Sequence, residues 1–188
     1  MTTLIDGLDG AYQHCAKVID GVDDTQLALP TPCSEWDVRA TTDHLIGATW
    51  MFTLVNQGQA VGEDAGGIAG RDPIVALDDA AAANAASWRM PGSFDGVRSY
   101  PFGTFPADAA AMINLCEVVV HTWDLATALG ADATIDPALA AMLDSFYRPI
   151  NLDPYRAHGA YGAEIPIDSS APPAHRLLAK LGRQPVRP

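Results

Sequence analysis

The chain has 188 residues, with 11 Lys and Arg against 23 Asp and Glu, and a formal net charge of −12. A chain of this length buries roughly two thirds of its unfolded surface, so a single domain over residues 1–188 needs neither disulfides nor a structural metal. The negative charge argues against proteins that bind nucleic acid or anionic membranes through Lys and Arg. Three widely spaced cysteines, a first segment without a basic secretory pattern and the lack of a long apolar run predict a cytoplasmic protein.

Helical patterns dominate the chain and are separated by short breaks. Apolar residues recur at helical spacing in the first segment, and Ser34 and Asp37 have the spacing of a helix start. Asp72-Pro73 and Asp136-Pro137 each supply a capping residue and a first-turn proline, and Gly130 ends the longest helix. The predicted helices cover residues 3–19, 36–56, 72–90, 107–129, 136–148 and 175–181. A Gly-rich acidic loop is predicted over 58–71 and a hairpin over 93–106, so the expected fold class is all-α.

The fourth predicted helix is apolar in nearly every direction and should be buried on most sides. Glu117 and His121 stand out against this background, at i, i+4 on one face, with Asn114 on the same stripe. A buried carboxylate needs a partner because an isolated buried charge is costly. A metal ion shared with His121 is one such partner, and a simple Glu117-His121 hydrogen bond facing a wet groove is the other.

A third candidate ligand lies in the second predicted helix. His44 is followed along its face by Gly47, Ala48 and Met51, and the small residues would leave room for an ion and a ligand. A histidine with satisfied hydrogen bonds inside the core is the alternative. From the residues alone, the three side chains therefore form either a metal site or a set of polar groups that satisfy one another.

Two motifs and the end of the chain together resemble a known family. They are residues 31–38 (TPCSEWDV) followed by His44, residues 117–126 (EVVVHTWDLA), and residues 177–185 (LLAKLGRQP). This combination resembles the actinobacterial metal-binding proteins related to mycothiol-dependent maleylpyruvate isomerase, in the DinB/YfiT-like superfamily. The resemblance implies a DinB-like four-helix bundle with crossover connections. It also implies one divalent metal, usually zinc, held by His44, Glu117 and His121.

The resemblance further implies chemistry with a low-molecular-weight thiol such as mycothiol or bacillithiol. Three protein ligands leave a coordination position open, and a metal deprotonates a coordinating thiol. The expected function is a metal-dependent, thiol-dependent transferase or isomerase, with a non-catalytic metal-bearing binding module as the alternative. Nickel, iron and cobalt suit two histidines and one carboxylate as well as zinc does. The isomerase has an additional C-terminal domain for which 188 residues leave no room, so maleylpyruvate isomerisation itself is not expected.

Several other residues carry weaker expectations. Arg89, Arg98, Arg148 and Arg156 are candidates to hold an anionic substrate, although solvated roles are the simpler reading for arginine. Cys33 precedes a helix start, where a thiol can become reactive, and is otherwise a packed loop residue. Asp124 is either an outer partner of His121 or a structural ion-pair residue. Trp36, Trp50 and Trp123 are expected in the core or in a pocket wall. His158 or His175 could approach the site from the end of the chain. An Ala-rich helix face could support a homodimer.

Overall fold

A computed structural model describes residues 3–61 and 71–185 of the chain. Most of the predicted loop over residues 58–71 therefore lies outside the described residues. The chain divides into two compact units, Met1–Ala133 and Thr134–Pro188. No helix in the described ranges has the length and apolar character needed to cross a membrane.

The first unit contains four long helices and one β-hairpin. The helices are α1 (Leu4–Ile19), α2 (Val38–Asn56), α3 (Pro73–Trp88) and α4 (Ala107–Leu129). The strands β1 (Val97–Tyr100) and β2 (Gly103–Pro106) pair antiparallel between α3 and α4. This mostly helical architecture confirms the predicted all-α, DinB-like fold class and its short hairpin.

Contacts along the helices fix their directions. The end of α2 meets the end of α3, where Asn56 donates a hydrogen bond to Ser87, so these two helices run parallel and need a crossover connection. Helix α4 runs the opposite way, because Asn114 contacts Trp88 at the end of α3, whereas Glu117, one turn farther along α4, contacts His44 in the first half of α2. The end of α1 lies with the starts of α2 and α3 around one cleft. One end of the bundle thus gathers the end of α1, the starts of α2 and α3 and the part of α4 from Glu117 onward, and is called the α2-start end below.

Capping residues explain where the helices begin and end. Asp72 accepts hydrogen bonds from the backbone N–H groups of Ile74 and Val75, and Gly130 ends α4 with a φ of 66°. The predicted start of α2 was wrong by two residues. Asp37, rather than Ser34, caps the helix by accepting from the N–H of Ala40, because residues 33–36 form a tight turn instead.

The core of this unit is centred on α4. Sixteen of its residues are buried, including the run from Val118 to Ala126, which confirms the prediction that this helix is enclosed on most sides. It packs chiefly on α1 and α2. Any polar side chain in the middle of α4 is consequently surrounded by apolar neighbours and must find its partner within the bundle.

The second unit is smaller and contains three helices in its described part. These are α5 (Pro137–Tyr147), α6 (Asp153–Arg156) and α7 (Pro173–Lys180), and α5 packs on α7. Asp136 caps α5 as predicted. The four-residue helix α6 was not predicted, since its turns leave no periodic apolar pattern, and α7 begins two residues before the predicted start.

Candidate metal centre

The structure brings together the three residues that the sequence predicts as metal ligands. His44 comes from α2, and Glu117 and His121 come from successive turns of α4. Oε2 of Glu117 lies 3.2 Å from Nε2 of His44 and 3.4 Å from Nε2 of His121. One carboxylate oxygen therefore faces two imidazole nitrogens from two helices, and the three side chains are called the triad below.

The triad is graded in its exposure to solvent. The side chain of His44 is 36% exposed, that of Glu117 is 24% exposed and that of His121 only 7%. The site is thus anchored in the core through His121 and opens at His44. A small molecule from solution could therefore contact the exposed parts of His44 and Glu117.

The donor set and its spacing fit a divalent metal ion. The three ligand atoms all lie within 4.8 Å of one another. Bonds of 2.0 to 2.2 Å in a tetrahedral site place neighbouring ligands about 3.4 Å apart, which matches the two distances to Glu117. Two imidazoles and one carboxylate are also a ligand set that zinc accepts with one position left open.

Asp124 holds His121 in the orientation that this site requires. Its Oδ2 lies 3.0 Å from Nδ1 of His121, and the Asp124 side chain is fully buried. Nδ1–H of His121 donates a hydrogen bond to this carboxylate, so Nε2 is left facing Glu117. A carboxylate behind a ligating histidine is the usual outer support of a metal centre, since it fixes the tautomer and raises the basicity of the ligand.

Electrostatics hold the triad together when only protons are bound. Burial would raise the pKa of Glu117, but hydrogen bonds with His121 and His44 keep it well below its usual value. Burial would likewise lower the pKa of His121, but hydrogen bonds to Asp124 and Glu117 raise it to about 9. Without a metal ion, ionised Glu117 and protonated His121 therefore form an ion pair rather than a pair of neutral polar groups.

Trp36 forms an aromatic wall on this site. Its ring centroid lies 4.3 Å from that of His44 and 5.6 Å from that of His121. The preceding loop places it there: Thr31 donates its hydroxyl to the carbonyl of Trp36, and the N–H of Trp36 is donated to the carbonyl of Cys33. Trp36 was predicted as core or pocket wall, and its ring packs on both imidazoles.

The four arginines considered for an anionic substrate all have partners elsewhere. Arg89 pairs with Asp9 and Arg148 with Asp144. Arg98 donates to Asn56 and to the backbone carbonyls of residues 93, 95 and 97, while Arg156 bonds to Asp153 and to the carbonyls of residues 162 and 180. Each is held within its own unit, as expected for structural arginines. His158 and His175 belong to the second unit, and Cys33 lies in the turn before Trp36.

A set of buried polar contacts elsewhere in the bundle was not predicted. Tyr12 donates to Thr49 and Asn84, and the amide of Asn84 donates to Thr53. The indole of Trp88 donates to Asn114, one turn before Glu117 on α4. The signal was present in the sequence as threonine and asparagine at core positions of α2, α3 and α4, but the pairing depends on packing between helices.

Comparisons with known proteins agree with the motifs. The family described as the mycothiol maleylpyruvate isomerase N-terminal domain matches residues 8–126, which include the whole triad and Trp36. An uncharacterized protein of Mycobacterium tuberculosis, found in two strains, is 31% identical over 175 residues, covering 92% of this chain and 93% of its own length. No solved structure matches the chain significantly. The match covers well over half of the sequence, so the chain belongs to the mycothiol maleylpyruvate isomerase N-terminal domain family.

Proposed function

We propose that this protein is a divalent-metal-dependent enzyme that uses a small thiol such as mycothiol. It either joins the thiol to an electrophilic substrate or isomerises the substrate through a thiol adduct. The observation that carries the proposal is the convergence of His44, Glu117 and His121 on one point of a half-open site. The family description, which names mycothiol, supports the choice of thiol.

Each residue of the site has a role in this proposal. His44 and His121 supply Nε2, and Glu117 supplies Oε2, to a divalent ion such as zinc. Asp124 keeps the proton of His121 on Nδ1 so that Nε2 remains a ligand. When bound, the ion supplies the Lewis acidity that lowers the pKa of a coordinating thiol toward neutrality.

The surroundings of the triad suit this reaction. Trp36 covers one side of the two imidazoles and restricts water there, while the exposed edge of His44 leaves an approach for the thiol and the electrophile. In the transfer reaction the thiol sulfur bonds to the electrophilic carbon, the leaving group departs with its electron pair and the thiol proton passes to solvent. In an isomerisation the same sulfur adds to a double bond and is later expelled, so the thiol is regenerated.

Two measurements test the proposal. Elemental analysis of the untagged protein should find one divalent ion per chain, and the double variant His44→Ala/His121→Ala should contain none. Loss of thiol should be followed with mycothiol, bacillithiol, coenzyme A and glutathione against 1-chloro-2,4-dinitrobenzene, with the double variant as the control. Bound metal without any thiol turnover would contradict the proposed catalysis and indicate a binding module. A metal content unaffected by the double substitution would contradict the assignment of His44 and His121 as ligands.

A further inference from the structure

The charge of the chain is divided very unevenly between its two units. The first unit carries 5 Lys and Arg against 18 Asp and Glu, a formal charge of −13, whereas the second carries 6 against 5, a formal charge of +1. The whole negative balance of the protein therefore belongs to the helical bundle that holds the triad. Net charge of this size produces a potential that extends beyond individual contacts.

Within the bundle, the acidic residues collect at the α2-start end, where the triad lies. Twelve described carboxylates belong to this end, against three basic residues. The acids are Asp20, Asp23, Asp24, Glu35, Asp37, Asp43, Asp72, Asp78, Asp79, Glu117, Asp124 and Asp132, and the basic residues are Lys17, Arg39 and Arg71. Arg71 is paired with Asp79, and Arg39 lines the cleft between the helices together with Asp20, Asp24 and Asp43.

A metal ion held by the triad would not offset the negative potential of the α2-start end. Glu117 and Asp124 together carry two negative charges, which equal the charge of one divalent ion. An ion held by the triad would therefore leave a locally neutral centre inside an acidic bundle end. An anionic substrate would meet repulsion on approach and no surplus positive charge on arrival.

We infer that the triad selects uncharged thiols and uncharged electrophiles and excludes anionic ones. This inference rests on the proposed function for the identity of the site, and it adds the charge class of the substrates. Arg89, Arg98, Arg148 and Arg156, the arginines that the sequence offered for a substrate carboxylate, are held by other groups in their own units, and the basic residues of the α2-start end are outnumbered four to one by carboxylates. Fields of this kind change the local concentration of charged ligands and their association rates by about tenfold or more, and they weaken as salt is added.

Thiol binding tests the inference without requiring turnover. The full chain loaded with Co²⁺ is titrated with 2-mercaptoethanol, which is uncharged, and with 2-mercaptoethanesulfonate, which is similar in size and carries a weakly coordinating anionic group. The near-ultraviolet absorption that a thiolate gives on Co²⁺ reports binding. We expect the uncharged thiol to bind about tenfold more tightly near 20 mM ionic strength. The difference should shrink below about threefold near 0.5 M, where the screening length is only a few ångströms.

A pair of variants separates the local field from total charge. Glu35 is exposed and adjoins Trp36 in sequence, whereas Asp95 is exposed beside the hairpin, next to the start of α4. That start lies ten residues, about 15 Å of helix axis, before Glu117. Near 0.1 M ionic strength, where screening acts over about 10 Å, Glu35→Lys should reduce the discrimination severalfold and Asp95→Lys by less than twofold.

The same charge contrast is then measured in the reaction. The kcat/KM for 1-chloro-2,4-dinitrobenzene, relative to that for 4-chloro-3,5-dinitrobenzoate, should exceed the uncatalysed ratio by about tenfold at low salt. Equal binding of the two thiols, or a preference unaffected by salt, overturns the inference alone. Selective thiol binding without turnover of either electrophile overturns the proposed function alone, and failure of Co²⁺ to bind overturns both.

Discussion

The two units each place a carboxylate between two nitrogen-bearing side chains, and the two arrangements differ in what they can do next. In the first, Glu117 faces two imidazoles. In the second, Asp144 of α5 accepts hydrogen bonds from the guanidinium groups of Arg148 and Arg176. Imidazole nitrogens can release their protons and bind a metal, whereas guanidinium nitrogens are donors only and remain charged.

The comparison shows that convergence on a carboxylate is not by itself a metal site. Asp144 is 5% exposed and its charge is offset by two permanent cations, so the cluster is closed and stabilises the packing of α5 with α7. Glu117 shares a single oxygen with two titratable groups beside a solvent opening. The Glu117 cluster is therefore expected to govern metal affinity, and the Asp144 cluster is expected to govern the stability of the second unit.

The largest expected effect is that of Glu117→Gln on metal binding. The amide is nearly isosteric and can still hydrogen bond to the histidines, but it is a poor ligand. Structural zinc sites gain about 10 to 16 kcal/mol from four ligands, or about 2.5 to 4 kcal/mol per ligand, so loss of one ligand should weaken binding roughly a hundred- to a thousandfold. Competition with a chromophoric chelator measures this affinity. Wild-type affinity in the variant would mean that Glu117 is not a ligand.

Truncation at Asp144 should produce the opposite pattern. Asp144→Ala removes a nearly buried carboxylate together with the hydrogen bonds that it accepts from Arg148 and Arg176, which should cost about 1.5 to 3 kcal/mol. Urea unfolding followed by circular dichroism measures the loss. Arg148→Ala is the matched control, since its side chain is 62% exposed and its removal leaves the pair with Arg176 intact. A loss of metal from Asp144→Ala would contradict the assignment of stability alone to the Asp144 cluster.

The substitution Asp124→Asn should weaken metal binding less than Glu117→Gln does. Asp124→Asn keeps the shape of the side chain and an acceptor for Nδ1 of His121, but it removes the charge that raises the basicity of the ligand. Outer-shell substitutions of this kind weaken metal binding about 10- to 100-fold. Asp108→Asn removes an exposed carboxylate from the first turn of the same helix and should leave the affinity unchanged. Equal affinities for the two variants would assign Asp124 a purely structural role.

The sequence alone could predict the helix that holds Glu117 and His121 and the closeness of these two residues. Gly130 and the proline before Ala107 mark both ends of α4, and Glu117 and His121 are neighbours on any helix. The contact of His44 with Glu117 joins residues 73 positions apart. The residues alone made His44 a candidate third ligand, but only the resemblance to a family assigned it to one site with Glu117. The start of α2 was misplaced because Ser34 and Asp37 are both good caps, and the turn at Cys33 and Trp36 decides between them.

The arginine pairing of Asp144 was not predicted at all. Arg148 lies at i+4 on the end of the same helix, but Arg176 is 32 residues away, and no motif links the two. Arg148 was considered only as a possible substrate ligand or as a solvated surface residue. Partner choice among surface arginines depends on how α5 and α7 pack, and local sequence patterns carry no information about that.

The smallest expected effect is a pH dependence confined to the Asp144 cluster. Burial raises the pKa of Asp144, but the hydrogen bonds and charges of Arg176 and Arg148 lower it below its ordinary value. A carboxyl whose folded pKa is depressed stabilises the fold above its unfolded pKa, about 3.9, and loses that contribution as the pH falls through the folded value. The arginines stay charged throughout, so only one group titrates. The unfolding free energies of wild type and Asp144→Asn should differ by a constant amount from pH 5 to 7 and converge below about pH 4. A difference that stayed constant down to pH 2 would show that the two arginines stabilise the native structure without depending on the charge of Asp144.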